Sequence, residues 1–171
     1  MPHRKKNSLL LLVAILLLSM SCREVAVPRP KGYFRIDLPS HNYVSFNSDS
    51  GQKNDLPLTF EYPSYGKISY QNESSPVPGW FNIDFSSYDA RIYLTYKDIN
   101  NNLDTLLEQT YKMNFQNHIT KADAINEQLI SDPERRVYGI LYDLKGNTAT
   151  SVQFFVTDST RHFFRGSLYF F

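Results

Sequence analysis

Cysteine is almost absent from this 171-residue chain: Cys22 is the only one. That excludes an internal disulfide, so stability has to come from a packed core. Long apolar runs are missing too. The longest, from Leu9 to Leu18, is ten residues, against the roughly 20 that a spanning helix requires. There is no basic excess, since 18 Lys and Arg face 17 Asp and Glu, and no basic stripe of the kind that nucleic-acid binding needs. Histidine is scarce. Beyond the first 21 residues only His41, His118 and His162 remain, and no two of them share a metal-ligand spacing, so no metal site is expected. Gly146 and Gly166 stand alone in hairpin settings, which excludes a phosphate-binding loop. Nothing repeats at a fixed period.

What is present begins with a leader. Arg4, Lys5 and Lys6 precede the apolar stretch, and Ser19, Met20 and Ser21 lead into Cys22. A positive start, an apolar middle and small residues at the end are the three parts of a secretory signal over 1–21. A lone cysteine at that boundary reads as a bacterial lipoprotein site. Its thiol becomes a thioether to diacylglycerol, and the new amino terminus is acylated with a chain such as palmitate. One feature departs from the usual pattern: Leu18 lies four residues before the cysteine, where three is typical. The alternative is a soluble secreted protein with a leftover thiol. Two or more acyl chains hold a protein stably at a membrane, whereas one holds it marginally.

Loss of the leader leaves 150 residues with 15 basic and 17 acidic groups, a net charge of −2. That length suffices for one domain with its own core. Residues 22–31 read as a tether, because Pro28-Arg29-Pro30 enforces extended backbone. At about 3.1 Å per residue it reaches up to roughly 28 Å from the lipid. A single globular domain is expected over 32–171. All 12 Tyr, all 12 Phe and the single Trp fall after the leader. Such residues favour strands and also suit protein interfaces.

Alternation predicts short strands at 33–36, 58–62, 81–85 and 92–96, with polar loops at 45–55 and 72–79. One amphipathic helix is expected from Asn101 or Asn102 to about Asn117. An asparagine side chain would cap its first amides, Asp104 sits in the first turn, and Leu103, Leu106, Leu107 and Thr110 form its stripe. Residues 122–130 fit either helix or strand, and the turn at Asp132-Pro133 favours strand. The last third is a three-strand antiparallel meander. Tyr138, Ile140, Tyr142 and Leu144 share a face, Val152, Phe154 and Val156 alternate, and Phe164, Leu168 and Phe170 line one side of the final strand. The fold class is α+β: a mostly antiparallel sheet with one main helix.

Several strings in order carry a family resemblance: Pro28-Arg-Pro-Lys-Gly-Tyr-Phe-Arg-Ile36, Pro78-Gly-Trp-Phe81, Lys121-Ala-Asp-Ala-Ile125, Val137-Tyr-Gly-Ile-Leu-Tyr142, and the run from Val156 to Phe170. Together they resemble the gliding-motility lipoprotein D family (GldD) of Bacteroidetes, over the whole chain from Cys22 onward. The resemblance implies a component of the gliding machinery and of the type IX secretion system that supports it, with other envelope lipoproteins as partners. It brings no catalytic motif and no cofactor. Surface-exported lipoproteins in these bacteria tend to carry acids soon after the cysteine. Here Arg23-Glu24-Val25-Ala26 holds one, which points to the periplasmic face of either membrane. The layout also resembles PsbP-like α/β/α sandwiches, an analogy of fold that says little about function.

Candidate chemistry is sparse, and the chain is expected not to be an enzyme. Asp158, Ser159 and His162 could suggest a hydrolase triad, but triad members usually come from distant segments, and Asp-Ser-Thr between two strands is ordinary turn chemistry. Three residues stand out for binding. Arg165 and Tyr169 face the side of the last strand opposite Phe164, Leu168 and Phe170. Arg165 is there either a recognition group beside aromatics or half of an ion pair with an acid such as Asp143. Trp80 follows Pro78-Gly79 and either contacts a partner or plugs the sheet edge. The functional expectation is a lipid-held assembly component acting through protein contacts. The alternatives are a periplasmic ligand-binding or enzymatic lipoprotein, or a chaperone-like stabiliser of other lipoproteins.

Overall fold

The computed structural model describes residues 35, 37, 39–47, 56–71, 75, 77–113 and 120–171. The leader, Cys22, the tether, most of the expected 33–36 strand, His118 and the expected end of the helix lie outside the described residues. The chain divides into two units, Met1–Leu38 and Pro39–Phe171. In the first, an exposed ion pair of 2.8 Å joins Arg35 to Asp37.

Among the described residues the second unit holds nine strands. β1 (Tyr43–Asn47) and β2 (Thr59–Pro63) form an antiparallel ribbon. Seven more form one antiparallel sheet: β3 (Lys67–Ser69), β4 (Trp80–Phe85), β5 (Ala90–Asp98), β6 (Ala122–Asp132), β7 (Val137–Gly146), β8 (Val152–Thr157) and β9 (His162–Phe170). Their spatial order is β3-β4-β5-β9-β8-β7-β6. An N-terminal meander, β3 to β5, and a C-terminal meander, β6 to β9, are thus joined through the β5–β9 pairing. The helix α1 (Leu103–Tyr111) connects β5 to β6. The α+β class holds, and the ambiguous 122–130 segment is a strand, which makes the meander four strands.

Each face of the sheet buries its own cluster. On one face Phe81, Ile83, Phe85, Ala90, Leu94 and Phe164 meet Phe46 of the ribbon. Phe46 stacks on Phe81 at 5.1 Å between ring centres and on Phe60 at 4.7 Å. On the other face Tyr142, Leu144, Phe155 and Phe163 meet Leu106, with Leu103 and Leu107 packed against them. The layers are therefore ribbon, sheet and helix. Among the described residues the face opposite α1 carries β1 and β2 where an α/β/α sandwich would carry a second helix.

Two local expectations are corrected. The loop expected from 45 begins as strand, because Ser45, Phe46 and Asn47 continue β1 opposite Glu61, Phe60 and Thr59. Its one buried aromatic, Phe46, packs in the cluster on that face of the sheet. Asn102 precedes α1 but makes no side-chain cap. Its Oδ1 instead accepts the backbone N–H of Asn100, upstream, at 2.8 Å, so that oxygen is spent on the turn before the helix. The stripe itself is as read: Leu106 and Thr110 are buried, and the Thr110 hydroxyl donates to the Leu106 carbonyl at 2.8 Å.

Candidate functional site

α1 covers the sheet over β7, β8 and the start of β9. The same face over β4, β5 and the rest of β9 forms a groove. Register dictates its rows. Trp80 pairs with Thr95 and Thr95 with Arg165; Asn82 pairs with Tyr93 and Tyr93 with Ser167; Asp84 pairs with Arg91 and Arg91 with Tyr169. Directly paired strand residues project to the same side. The three residues singled out in the sequence, Trp80, Arg165 and Tyr169, therefore lie on one surface.

The turn before β4 sets the Trp80 end. Gly79 has φ +79°, and a Cβ there would lie 2.6 Å from the carbonyl oxygen of Tyr96. The Tyr96 amide donates to the Gly79 carbonyl at 2.7 Å. Only glycine fits that approach, and it delivers Trp80, 46% exposed, to the first position of the strand. The other end is aromatic. Tyr93 and Tyr169 meet edge to face at 5.4 Å. The Arg91 guanidinium lies 5.6 Å from the centre of the Tyr93 ring and 6.0 Å from that of Phe171, a cation–π arrangement. Arg91 is itself ion-paired with Asp84, so its charge is cancelled within the groove wall.

Arg165 sits between these ends. A cavity of about 490 Å³ is lined by Tyr93, Met113, Arg165, Tyr169 and Phe171, and one of about 230 Å³ by Gln71, Trp80, Asn82, Tyr93 and Arg165. Arg165 borders both. Its guanidinium donates to the Met113 sulfur at 2.9 Å, a weak, neutral acceptor. No ion pair among the described residues includes it. The expected alternative, a pair with Asp143, is corrected: Asp143 projects from the opposite face of β7 and pairs with Lys145 at 2.8 Å. Burial lowers the Arg165 proton affinity from its ordinary value, yet an arginine stays charged in any aqueous setting. Tyr93, Met113 and Phe171 were not singled out in the sequence. A signal existed for Tyr93: if Leu94 and Tyr96 face the core, it faces the other way.

Asp158, Ser159 and His162 do not converge on a nucleophile arrangement. Asp158 Oδ1 accepts the backbone amides of Thr160, Arg161 and His162 at 3.0, 2.8 and 2.8 Å. Burial would raise its pKa, but those amides and the Thr160 hydroxyl outweigh it and hold the carboxyl well below the usual carboxylate range. His162 turns elsewhere: its Nδ1 lies 2.8 Å from the Tyr96 hydroxyl, which donates to Asp98 at 2.7 Å. Burial, then the Asp98 contact, raises the Tyr96 phenol above its normal range. The depressed Asp158 carboxyl fixes a sign. Its stabilising contribution is present above the unfolded pKa of about 3.9 and is lost as pH falls through the folded value. Asp158→Asn is expected to cost about 1–2 kcal/mol at neutral pH, and the gap from wild type should start to narrow as pH falls below about 3.9 and go on narrowing toward the depressed folded value. Urea unfolding at neutral pH and at a series of acid pH values measures it.

Fold and groove together describe a sheet-rich α+β domain with a concave aromatic face that carries Arg165, a cation with no counterion among the described residues. The chain belongs to the gliding motility lipoprotein GldD family, whose sequence model matches residues 23–171. No curated protein matches it. Membership makes the protein a gliding-motility lipoprotein, anchored to the cell envelope. No helix among the described residues is long and apolar enough to cross a membrane.

Proposed function

We propose that the protein is a structural or assembly component of the gliding apparatus and of the type IX secretion machinery, held by lipid on Cys22 at the periplasmic face of a membrane. It works by binding other envelope proteins of that apparatus. Family membership supports the cellular setting, and the Arg165 groove is the single observation that supports a contact function. Tyr, Trp and Arg are the side chains enriched where binding energy concentrates, and here they are gathered on a face that the other described elements of the domain leave open. Confinement at a surface raises the effective concentration of partners without any new contact.

Gene deletion tests the reading. Colony spreading and type IX cargo in the medium are both expected to be lost, with the abundance of other envelope lipoproteins unchanged. Normal spreading would sink the assembly role. A general fall in the other lipoproteins would replace it with a stabilising one.

A second reading has its own support. A cavity of about 490 Å³ falls within the size range of small-ligand sites, about 300–1,000 Å³. A periplasmic ligand-binding lipoprotein would use the same face.

A further inference from the structure

We propose that the groove docks one internal acidic residue of a partner polypeptide, with an apolar side chain on each side of it. The proposal rests on the assembly reading above and names the chemistry of its partner.

Charge gives the first argument. The groove holds two guanidiniums. Asp84 neutralises Arg91, and Arg165 has only the Met113 sulfur as a described hydrogen-bond acceptor. Among the described residues one positive charge is left without a counterion in a partly desolvated place, and one carboxylate balances it. A phosphoryl group, at about −1.5 to −2, would overshoot. Arginine suits a carboxylate because its planar fork can bind two oxygens at once.

Shape gives the second. Arg165 and Tyr93 border both cavities, so the cation lies at their junction rather than at an end. Trp80 lines one side, and Tyr169 with Phe171 lines the other. A ligand with a terminal acid, such as a fatty acid or a small aryl acid, would place its body in one lobe and leave the second empty. A chain with its carboxylate in the middle fills both. Polar groups suited to a peptide backbone stand along the floor: the Asn82 amide and the Thr95 and Ser167 hydroxyls all come from the groove rows.

Trp80 is the only tryptophan in the chain, so its fluorescence reports on the groove without labelling. The full chain in detergent is titrated with an array of end-blocked heptapeptides. Each carries Glu at the centre, apolar residues varied on both sides and serine elsewhere; each has a twin with Gln at the centre. The best Glu peptides are expected to bind at least about tenfold more tightly than their twins, the scale of one charge-assisted contact. Arg165→Gln should bring that ratio to within about twofold, and Arg165→Lys should restore part of it as a point charge without the fork. Tyr169→Ala should weaken both members of each pair. Unchanged thermal unfolding shows that each variant is folded.

Failure of every Glu peptide to outbind its twin overturns the proposal, as does a preference that survives Arg165→Gln. Phenylbutyrate binding as tightly as the best peptide overturns it in favour of a small acid. These failures are separable from failure of the assembly reading. A deletion strain that spreads normally removes that reading and leaves the peptide preference standing. Loss of the preference in vitro removes the docking and leaves the deletion phenotype standing.

Discussion

Replacing Phe81 by alanine is expected to lower the unfolding free energy by about 3–5 kcal/mol. Phe81 is 1% exposed and lies at the centre of an aromatic stack. Phe46 is 5.1 Å away and nearly parallel, Phe164 is 6.1 Å away, and Phe60 is 6.2 Å away. Those rings belong to β1, β9 and β2, so one side chain ties the ribbon to the middle of the sheet. Truncation removes its transfer free energy and leaves a void that four strands cannot close together. Aromatic pairs add about 0.5–1.5 kcal/mol beyond area. A domain of this size has about 5–15 kcal/mol in total, and it has no disulfide to limit the unfolded chain. Urea unfolding is the measurement, with the midpoint falling sharply and the slope nearly constant. A loss below about 1 kcal/mol, the level of a tolerated surface change, would show that the ribbon is not held by this stack.

The same face shows what the sequence reveals and where it stops. Phe81-Asn82-Ile83-Asp84-Phe85 reads correctly as a half-buried strand because one face is strictly apolar. β8 is harder. Val152, Phe154 and Val156 alternate, but Gln153, Phe155 and Thr157 are the more deeply buried set. β8 lies inside the sheet, and its two faces contribute to the two clusters; a strand with core on both sides carries no clean period. In β1, the single Phe46 among Ser and Asn left too little pattern to separate strand from loop. Asn102 was a sound capping candidate by type, and its oxygen was claimed by a nearer amide. The groove illustrates a different limit. Trp80, Arg165 and Tyr169 each stood out by residue type, but the row Trp80–Thr95–Arg165 joins positions 80, 95 and 165 through register. No local pattern encodes it. Nor does any pattern place Met113, just beyond α1, against Arg165.

Replacing Cys22 by alanine is expected to move the protein from the membrane to the soluble fraction, or to leave it as an unprocessed precursor, with spreading lost as fully as in the deletion strain. The apolar run at 9–18 is ten residues and α1 is nine, against the about 20 of a spanning helix. The proposed function places attachment on the acyl chains of Cys22. At about 0.8 kcal/mol per buried methylene, two or three chains hold essentially permanently and none holds at all. A freed domain would retain its fold, its groove and its intrinsic affinity, and lose only proximity. Tethering of this kind is worth about 10²–10⁴ in apparent affinity, enough to turn a moderate surface contact into a stable assembly. The informative comparison is therefore the variant's behaviour in two settings. Purified Cys22→Ala protein should still prefer Glu-centred peptides through Arg165, while cells carrying it should fail to spread. If the variant stayed in the washed membrane fraction and spread normally, the sulfur at Cys22 would not be the anchor, and the argument from proximity would have to begin from another attachment.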